Sequence, residues 1–334
     1  MSEKRHKQQR REARPLATSN ESGPSFSMRV QDWLFAPQPI ARLELIRFLV
    51  PLAVLGFVSS RVIHADDWLS TAGFHVPDLG RADWRQPLYL RPLPPAMAWV
   101  TSGALVGSGL LLAAGAWTRV SALAFAVTLG YVTLADRLAA FTVTKMGTVL
   151  AVALWFSPCG ARWSVDRWRR ARQKVDSPPA PTHVGGGSVR FFQILVAVFY
   201  CASGIGKIRG DWLTHPAVIW THLHDSYQTS VAYFTGRIMP AWGWLLLQVI
   251  TLAFEALAPL WFAFRRTRSV ALGWAIGMHM MIALMFGPLC WFSLLMISLL
   301  LACFGPARWF DRPPVAHSTP APLSPAFLPT HHQS

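Results

Sequence analysis

The stretch Phe191 to Trp212, FFQILVAVFYCASGIGKIRGDW, decides how this chain folds. Its first ten residues are apolar apart from Gln193, and a predominantly apolar run continues to Lys207. A run of this length is typical of a helix that crosses a lipid bilayer. Lys207 then lies near the membrane interface, where ionisable side chains are costly and often functional. The alternative is a structural lysine that reaches the headgroups and pairs with Asp211, one turn away.

The composition of the 334-residue chain is that of a membrane protein. Hydrophobic residues make up 52% of the chain and charged residues 14%, whereas about a quarter of the residues of a soluble domain are charged. Many of the 16 Trp and 20 Phe lie near the ends of apolar segments, as in aromatic belts at membrane interfaces. Few segments alternate with period two, which argues against a β-barrel. We therefore predict an all-α, polytopic membrane helix bundle.

About eight apolar segments are candidates for transmembrane helices, which need about 20 residues each. They are residues 41–61, 95–116, 119–136, 144–158, 188–207, 241–264, 269–286 and 288–305. The fourth and the eighth are short. The N-terminal region before the first segment is basic and polar, and the C-terminal region after the eighth segment is proline-rich. We predict disordered tails over residues 1–34 and 313–334, and a membrane domain over residues 35–312.

The net charge of +15 is distributed as in a membrane protein, not as in a nucleic-acid-binding protein. Lysine and arginine are concentrated before residue 40, between Arg162 and Lys174, and between Arg265 and Arg268. An eight-helix arrangement places all three clusters on one side, as the positive-inside rule requires. We therefore predict a multi-pass protein of the cell membrane, with both termini cytoplasmic, with the lipid bilayer as its partner and with no nucleic-acid partner.

The sequence does not predict a metal centre or a disulfide framework. The four cysteines show no CxxC spacing and lie in or beside apolar segments, as buried thiols do. His222 and His224, with His215, form a weak metal-binding pattern that lacks an acidic ligand at a suitable spacing. The motifs of phosphate loops, dinucleotide sites and nucleophile elbows are missing from the sequence.

Lys207 shares one face of its predicted helix with other functional candidates. Tyr200, Ser203 and Lys207 are spaced three and four residues apart, so their side chains point to the same side. Ser203 and Gly204 are small enough to let another helix or a flat ligand approach the backbone. A lysine withdrawn from water at this position is a candidate general base.

Other ionisable residues lie inside predicted helices and need partners there. For Glu255, and for Arg42, Glu44 and Arg47 in the first segment, internal ion pairs that fix helix packing are the alternative to catalysis. His279 lies among methionines in the seventh segment. Its structural alternative is a hydrogen bond to a backbone carbonyl or a serine.

Several of these segments together resemble the HTTM family, the transmembrane domain shared with vitamin K-dependent gamma-carboxylase. Residues 200–212 are similar to the family motif aromatic-x-x-(Ala/Ser)-Gly-x-x-Lys-(Leu/Ile)-x-x-x-Trp. The other matching features are the Glu-x-x-x-Pro stretch Glu255–Pro259, the late histidine His279, Leu134–Arg137 and Pro158–Arg167. The resemblance covers about residues 35–312.

The resemblance implies a lysine-centred, outward-facing site for a quinone-like or lipid ligand. In the carboxylase the motif lysine is taken as the base that deprotonates vitamin K hydroquinone, so a reduced quinone is the expected cofactor. The expected catalytic residues are Lys207 and His279, with His279 as a positioning group. The expected ligand-binding residues are Tyr200, Ser203, Gly204, Trp212 and Glu255.

Two departures from the carboxylase limit what the resemblance implies about activity. A histidine expected shortly after Asp136-Arg137 is missing, and the large lumenal domain that binds the protein substrate has no counterpart here. Peptide-directed glutamate carboxylation is therefore not expected, and a carboxylase-like lyase activity stays open. One alternative is a non-catalytic partner for the maturation or export of a secreted peptide, held by the aromatic outer loops 62–94 and 208–240. The other is a transporter, although no internal repeat supports it.

Overall fold

The computed structural model describes residues 25–74, 88, 90–135, 141–173, 179–224 and 227–311. Its α-helices are α1 (Phe26–Phe35), α2 (Ala41–Val62), α3 (Ala65–Leu69), α4 (Pro95–Ala114), α5 (Thr118–Ala135), α6 (Thr142–Phe156), α7 (Val165–Gln173), α8 (Gly187–Arg209), α9 (Val218–Leu223), α10 (Ser230–Ile238), α11 (Ala241–Ala256), α12 (Ala258–Ala263), α13 (Arg265–Met285) and α14 (Cys290–Phe304). Two short strands, β1 (Gln38–Pro39) and β2 (His183–Val184), pair antiparallel.

The structure differs from the expected tails at one point. Residues 26–34, predicted as part of a disordered tail, form most of α1, which Ser25 caps through a hydrogen bond from the Met28 N–H to its side chain. The remaining parts of both predicted tails and the pair Asp136-Arg137 lie outside the described residues.

The all-α membrane fold is confirmed, but the count of eight spans is not. Six helical segments of the described chain are long and apolar enough to cross a membrane. They are α2, α4, α5, α8, α13 and the segment Gly287–Phe304 that contains α14. The fourth predicted segment forms α6, which has 15 residues. The sixth predicted segment is divided between α11 and α12, and α11 also forms a pair with α10 that is bent by 116°.

Proline explains the division of the sixth segment. Pro259 stands at the second position of α12 and has no N–H to donate to the carbonyl of Glu255, four residues earlier. The regular hydrogen-bond ladder therefore stops at Glu255, and α11 ends at Ala256. The break leaves Glu255 in the last turn of a helix, deep in the protein.

The helices form two groups joined through α2 and α14. In the first group α2 packs against α4 and α6, and α5 lies between α4 and α6. In the second group α8 packs against α11, α12 and α14, and α13 packs against α12 and α14. The contact between α2 and α14 joins the groups, and one continuous hydrophobic core runs through both.

Arg47 and Glu44 are buried near the start of α2 and bind backbone groups of other segments. Arg47 Nη1 donates to the carbonyls of Leu112 (2.8 Å) and Ala113 (2.6 Å), and Nη2 donates to the carbonyl of Trp163. The Glu44 carboxylate accepts two successive backbone N–H groups from the loop that carries Trp163. These two side chains therefore fasten α2 to the end of α4 and to the loop after α6.

Arg42 makes the corresponding connection to the end of the chain. Its guanidinium donates to the carbonyls of Ala302 (2.7 Å) and Gly305 (2.8 Å) and lies 4.5 Å from the centre of the Phe310 ring. The sequence predicted internal ion pairs for the charged residues of this helix. The partners in the structure are instead backbone carbonyl groups at the ends of neighbouring helices and backbone groups of the loop after α6.

Asp166 in α7 caps the start of α5. Its carboxylate accepts the backbone N–H groups of Trp117 (2.7 Å) and Thr118 (2.8 Å) and the Thr118 hydroxyl (2.8 Å). Burial alone would raise the pKa of Asp166, but these hydrogen bonds outweigh it and hold the pKa below its ordinary value. The stabilisation is therefore complete above the pKa of the unfolded chain and is lost as pH falls through the lowered pKa.

Candidate functional site

Lys207 and Glu255 form an ion pair between α8 and α11. Lys207 Nζ donates to Glu255 Oε2 and, at 2.8 Å, to Ser203 Oγ. The side chains are largely buried, with exposed fractions of 20% for Lys207 and 9% for Glu255. The sequence-based alternative, in which Lys207 pairs with Asp211, is wrong because α8 ends at Arg209 and the carboxylate that reaches Nζ comes from α11.

Gly204 makes this pairing possible because it lets α8 and α11 come into close contact. A Cβ atom at Gly204 would lie 2.6 Å from the backbone nitrogen of Ala256, the residue next to Glu255. Real Cβ atoms do not approach a backbone so closely, so the separation of the helices at this point depends on glycine. Gly206, two residues further along α8, has no atom within 4 Å of a Cβ built on it.

We predict that Gly204→Ala destabilises the protein and that the matched control Gly206→Ala does not. Both changes gain the same helix propensity, up to about 1 kcal/mol. At Gly204 the new methyl group must displace the backbone of α11, and such overpacking costs about 1–3 kcal/mol. Thermal unfolding of the purified protein in detergent measures the difference. Equal stability of the two variants would show that the helices do not depend on Gly204 for their contact.

Trp212 lies beside the ion pair and is held there by a glutamine. Lys207 Nζ is 5.0 Å from the centre of the Trp212 ring, within the range of a cation–π contact. Gln248 Nε2 donates to the carbonyls of Trp212 (2.6 Å) and His215 (2.9 Å). Gln248 is buried, and the sequence analysis missed it. Its signal was a single amide side chain in the otherwise apolar first three turns of α11.

Tyr200 and His279 form a second polar pair in the interior. The Tyr200 hydroxyl and His279 Nε2 are 2.8 Å apart, and both residues are at most 3% exposed. The rings of Phe254, Phe262 and Phe292 surround the pair. The sequence predicted a carbonyl or serine partner for His279, and the structure provides a tyrosine from another helix. The other ring nitrogen, Nδ1, has no hydrogen-bond partner among the described residues.

A cavity of about 1060 Å³ lies beside the ion pair, with walls from α2, α6, α8, α9, α11, α13 and α14. Lys207, Trp212 and Glu255 line it, and most of the other lining residues are apolar. Tyr200 and His279 are not among the lining residues, and neither are Ser203 and Gly204. The structure therefore brings three of the seven predicted site residues to the cavity surface. Ser203 and Gly204 lie behind the ion pair, and Tyr200 and His279 form a separate buried pair.

The histidines of the outer segment make local contacts. His222 Nδ1 lies 2.7 Å from the Val218 carbonyl, and His224 Nδ1 lies 2.8 Å from the Trp220 carbonyl. Within the described part of the chain, no group of three or more metal-binding side chains is close enough to hold an ion. His222 also lines the cavity, which the sequence did not predict.

Comparison with known proteins places this arrangement in a family. The sequence profile of the HTTM domain matches residues 35–309 of the chain. The matched range contains α2 to α14 and all the candidate site residues named above. No curated protein and no solved structure matches the chain.

Proposed function

The chain belongs to the HTTM domain family of membrane proteins, and from this premise we propose that it binds a hydrophobic quinone-like ligand at a site centred on Lys207. The observation that carries the proposal is the Lys207–Glu255 ion pair at the surface of a large apolar cavity. A buried ion pair is a costly feature inside a membrane, and its position at a cavity gives it access to a ligand.

The residues present fit a reduced quinone. Lys207 Nζ is a hydrogen-bond donor and Glu255 Oε2 an acceptor, so a ring hydroxyl beside the pair would have a partner for its oxygen and one for its proton. Trp212 offers a flat aromatic surface beside them. Ligand pockets have volumes of about 300–1,000 Å³, so the cavity has room for a ring and an apolar chain.

A bound reduced quinone would supply an acidic hydroxyl group on a ring that can be oxidised. The role of the protein in this step is to accept one proton from that hydroxyl group. Glu255 Oε2 is the acceptor, and Lys207 Nζ, positioned by Ser203 Oγ, supplies a positive charge and a hydrogen bond to the same ligand oxygen. We therefore assign proton acceptance to the Lys207–Glu255 pair, where the sequence had pointed to the lysine alone. Carboxylase-like turnover would begin with this step, and ligand binding alone would use the same contacts.

Lipid identified in the purified protein tests the proposal. We expect one quinone or prenylated phenol to be enriched in the parent protein and to be lost in the double variant Lys207→Met/Glu255→Gln, which removes both charges together. Extraction with organic solvent and mass spectrometry measure both quantities. Phospholipids alone, at equal levels in parent and variant, would contradict the proposal.

A second candidate function is that of a non-catalytic partner for a secreted peptide. The observation that favours it is a smaller hollow of about 340 Å³, lined by Pro216, Trp220, Trp242 and Trp244 among others. It lies among the segments that follow α8, and Trp242 is 69% exposed. An exposed aromatic hollow suits the apolar side chain of a peptide, and loss of the Trp242 ring would weaken peptide binding without changing the bound lipid.

A further inference from the structure

Two glycines of α13 face open space in the cavity. Gly273 and Gly277 form the pattern Gly-x-x-x-Gly, which in membrane helices commonly marks a face that packs on another helix. Here a Cβ atom at either position would meet nothing within 4 Å, and both glycines line the cavity. At Gly204 of α8, by contrast, the Cβ position is filled by a neighbouring helix. The glycines of α13 therefore widen the cavity and do not close a helix contact.

The cavity is elongated along α13. Ser269, Gly273, Gly277, Met281 and Met285 all line it and recur every fourth residue along the helix. At a rise of 1.5 Å per residue, the distance from Ser269 to Met285 along the axis is about 24 Å. The hydrocarbon core of a bilayer is about 30 Å thick, so the cavity follows most of the depth of a membrane.

The Lys207–Glu255 ion pair lies close to the level of His279 along α13. A long apolar part of the cavity therefore remains on one side of the ion pair. Tyr200 bonds to His279 of α13, and Lys207 reaches back to Ser203, one turn from Tyr200. From His279 to Ser269 the axis of α13 covers about 15 Å. A ligand whose polar head lies at Lys207 therefore has its apolar chain along the two glycines.

We infer that Gly273 and Gly277 form the floor of a channel for the ligand tail and that Gly273 sets which tail lengths fit. The inference rests on the proposed head site at Lys207. It adds to that proposal the place where the apolar chain of the ligand lies.

The test uses two reduced quinones that differ only in tail length, one with a single isoprene unit and one with four. Binding of each probe to the detergent-purified full chain is measured by native mass spectrometry. Gly273→Leu places a branched side chain in the channel, about 9 Å along the axis from His279. The matched control is Gly103→Leu on α4, which also has nothing within 4 Å of its Cβ position and does not line the cavity.

We expect Gly273→Leu to weaken binding of the long-tailed probe about tenfold or more, because several buried methylene groups lose their place. Binding of the short-tailed probe should stay within about twofold of the parent protein, and Gly103→Leu should bind both probes as the parent does. If Gly273→Leu fails to fold, Gly273→Ala should also weaken binding of the long-tailed probe selectively, by a smaller factor. Unchanged long-tail binding, or an equal loss of both probes, would overturn the tail channel while leaving the head site. A parent protein that binds neither probe would overturn the proposed function itself.

Discussion

Replacing Arg47 with methionine is expected to prevent stable folding of the membrane domain. The change removes the donors to three backbone carbonyls, at Leu112, Ala113 and Trp163, all at or beside helix ends. It also leaves the Glu44 carboxylate buried without the neighbouring cation. Breaking a buried charged network by removing one partner costs about 3–5 kcal/mol, a large part of the roughly 5–15 kcal/mol that holds a typical domain together.

The measurements are the yield of monodisperse protein in detergent and its unfolding temperature. Arg119→Met is the matched control, because Arg119 is exposed at the start of α5. We expect the control to resemble the parent and Arg47→Met to aggregate or to unfold at a much lower temperature. If Arg47→Met matched the control in yield and unfolding temperature, the buried guanidinium would not be what joins α2, α4 and the loop after α6.

Replacing Lys207 with arginine is expected to leave the fold intact and to weaken ligand binding strongly. Arginine retains the positive charge and can still pair with Glu255, so helix packing between α8 and α11 persists. Its guanidinium is larger and planar and directs its donors differently from an ammonium group. Loss of a charged hydrogen bond to the ligand costs about 1.5–3 kcal/mol, which weakens binding roughly tenfold to a hundredfold.

The ion pair determines which second variant is informative. Lys207→Met, which from the sequence alone would fold normally, leaves Glu255 buried and unpaired, and this is expected to cost about 3–5 kcal/mol. The double variant Lys207→Met/Glu255→Gln avoids the unpaired charge and should fold. Binding of the short-tailed reduced quinone and the unfolding temperature are measured for Lys207→Arg and for the double variant. Parent-like binding by Lys207→Arg would assign the lysine a structural role.

Much of the fold follows from local sequence. The fifth predicted segment, residues 188–207, corresponds to α8 at Gly187–Arg209, and the eighth, 288–305, to α14 at Cys290–Phe304. Runs of apolar residues set these positions because a helix in lipid satisfies its own backbone hydrogen bonds. The sixth segment was too long because its apolar run continues past Pro259, where the loss of one N–H divides the helix.

The candidate site was only partly visible in the sequence. The motif around Lys207 and the carboxylate Glu255 stand out because ionisable residues are rare in apolar segments. Their pairing does not stand out, since the two residues are 48 positions apart and meet only where Gly204 lets two helices touch. The role of Gln248 depends on a fold-back of the segment at Trp212, which no local pattern encodes.

By itself the sequence determined that this is a helical membrane protein of the HTTM family, with ionisable residues in its apolar segments. Composition, the length of apolar runs and the spacing of motifs are local properties of the sequence, so they can be recognised without knowledge of the tertiary structure. The tertiary structure decided which groups the charged side chains bind and where empty space remains. The two glycines of α13 show the reason: the same spacing that packs two helices elsewhere here opens a cavity, because the outcome depends on what lies opposite.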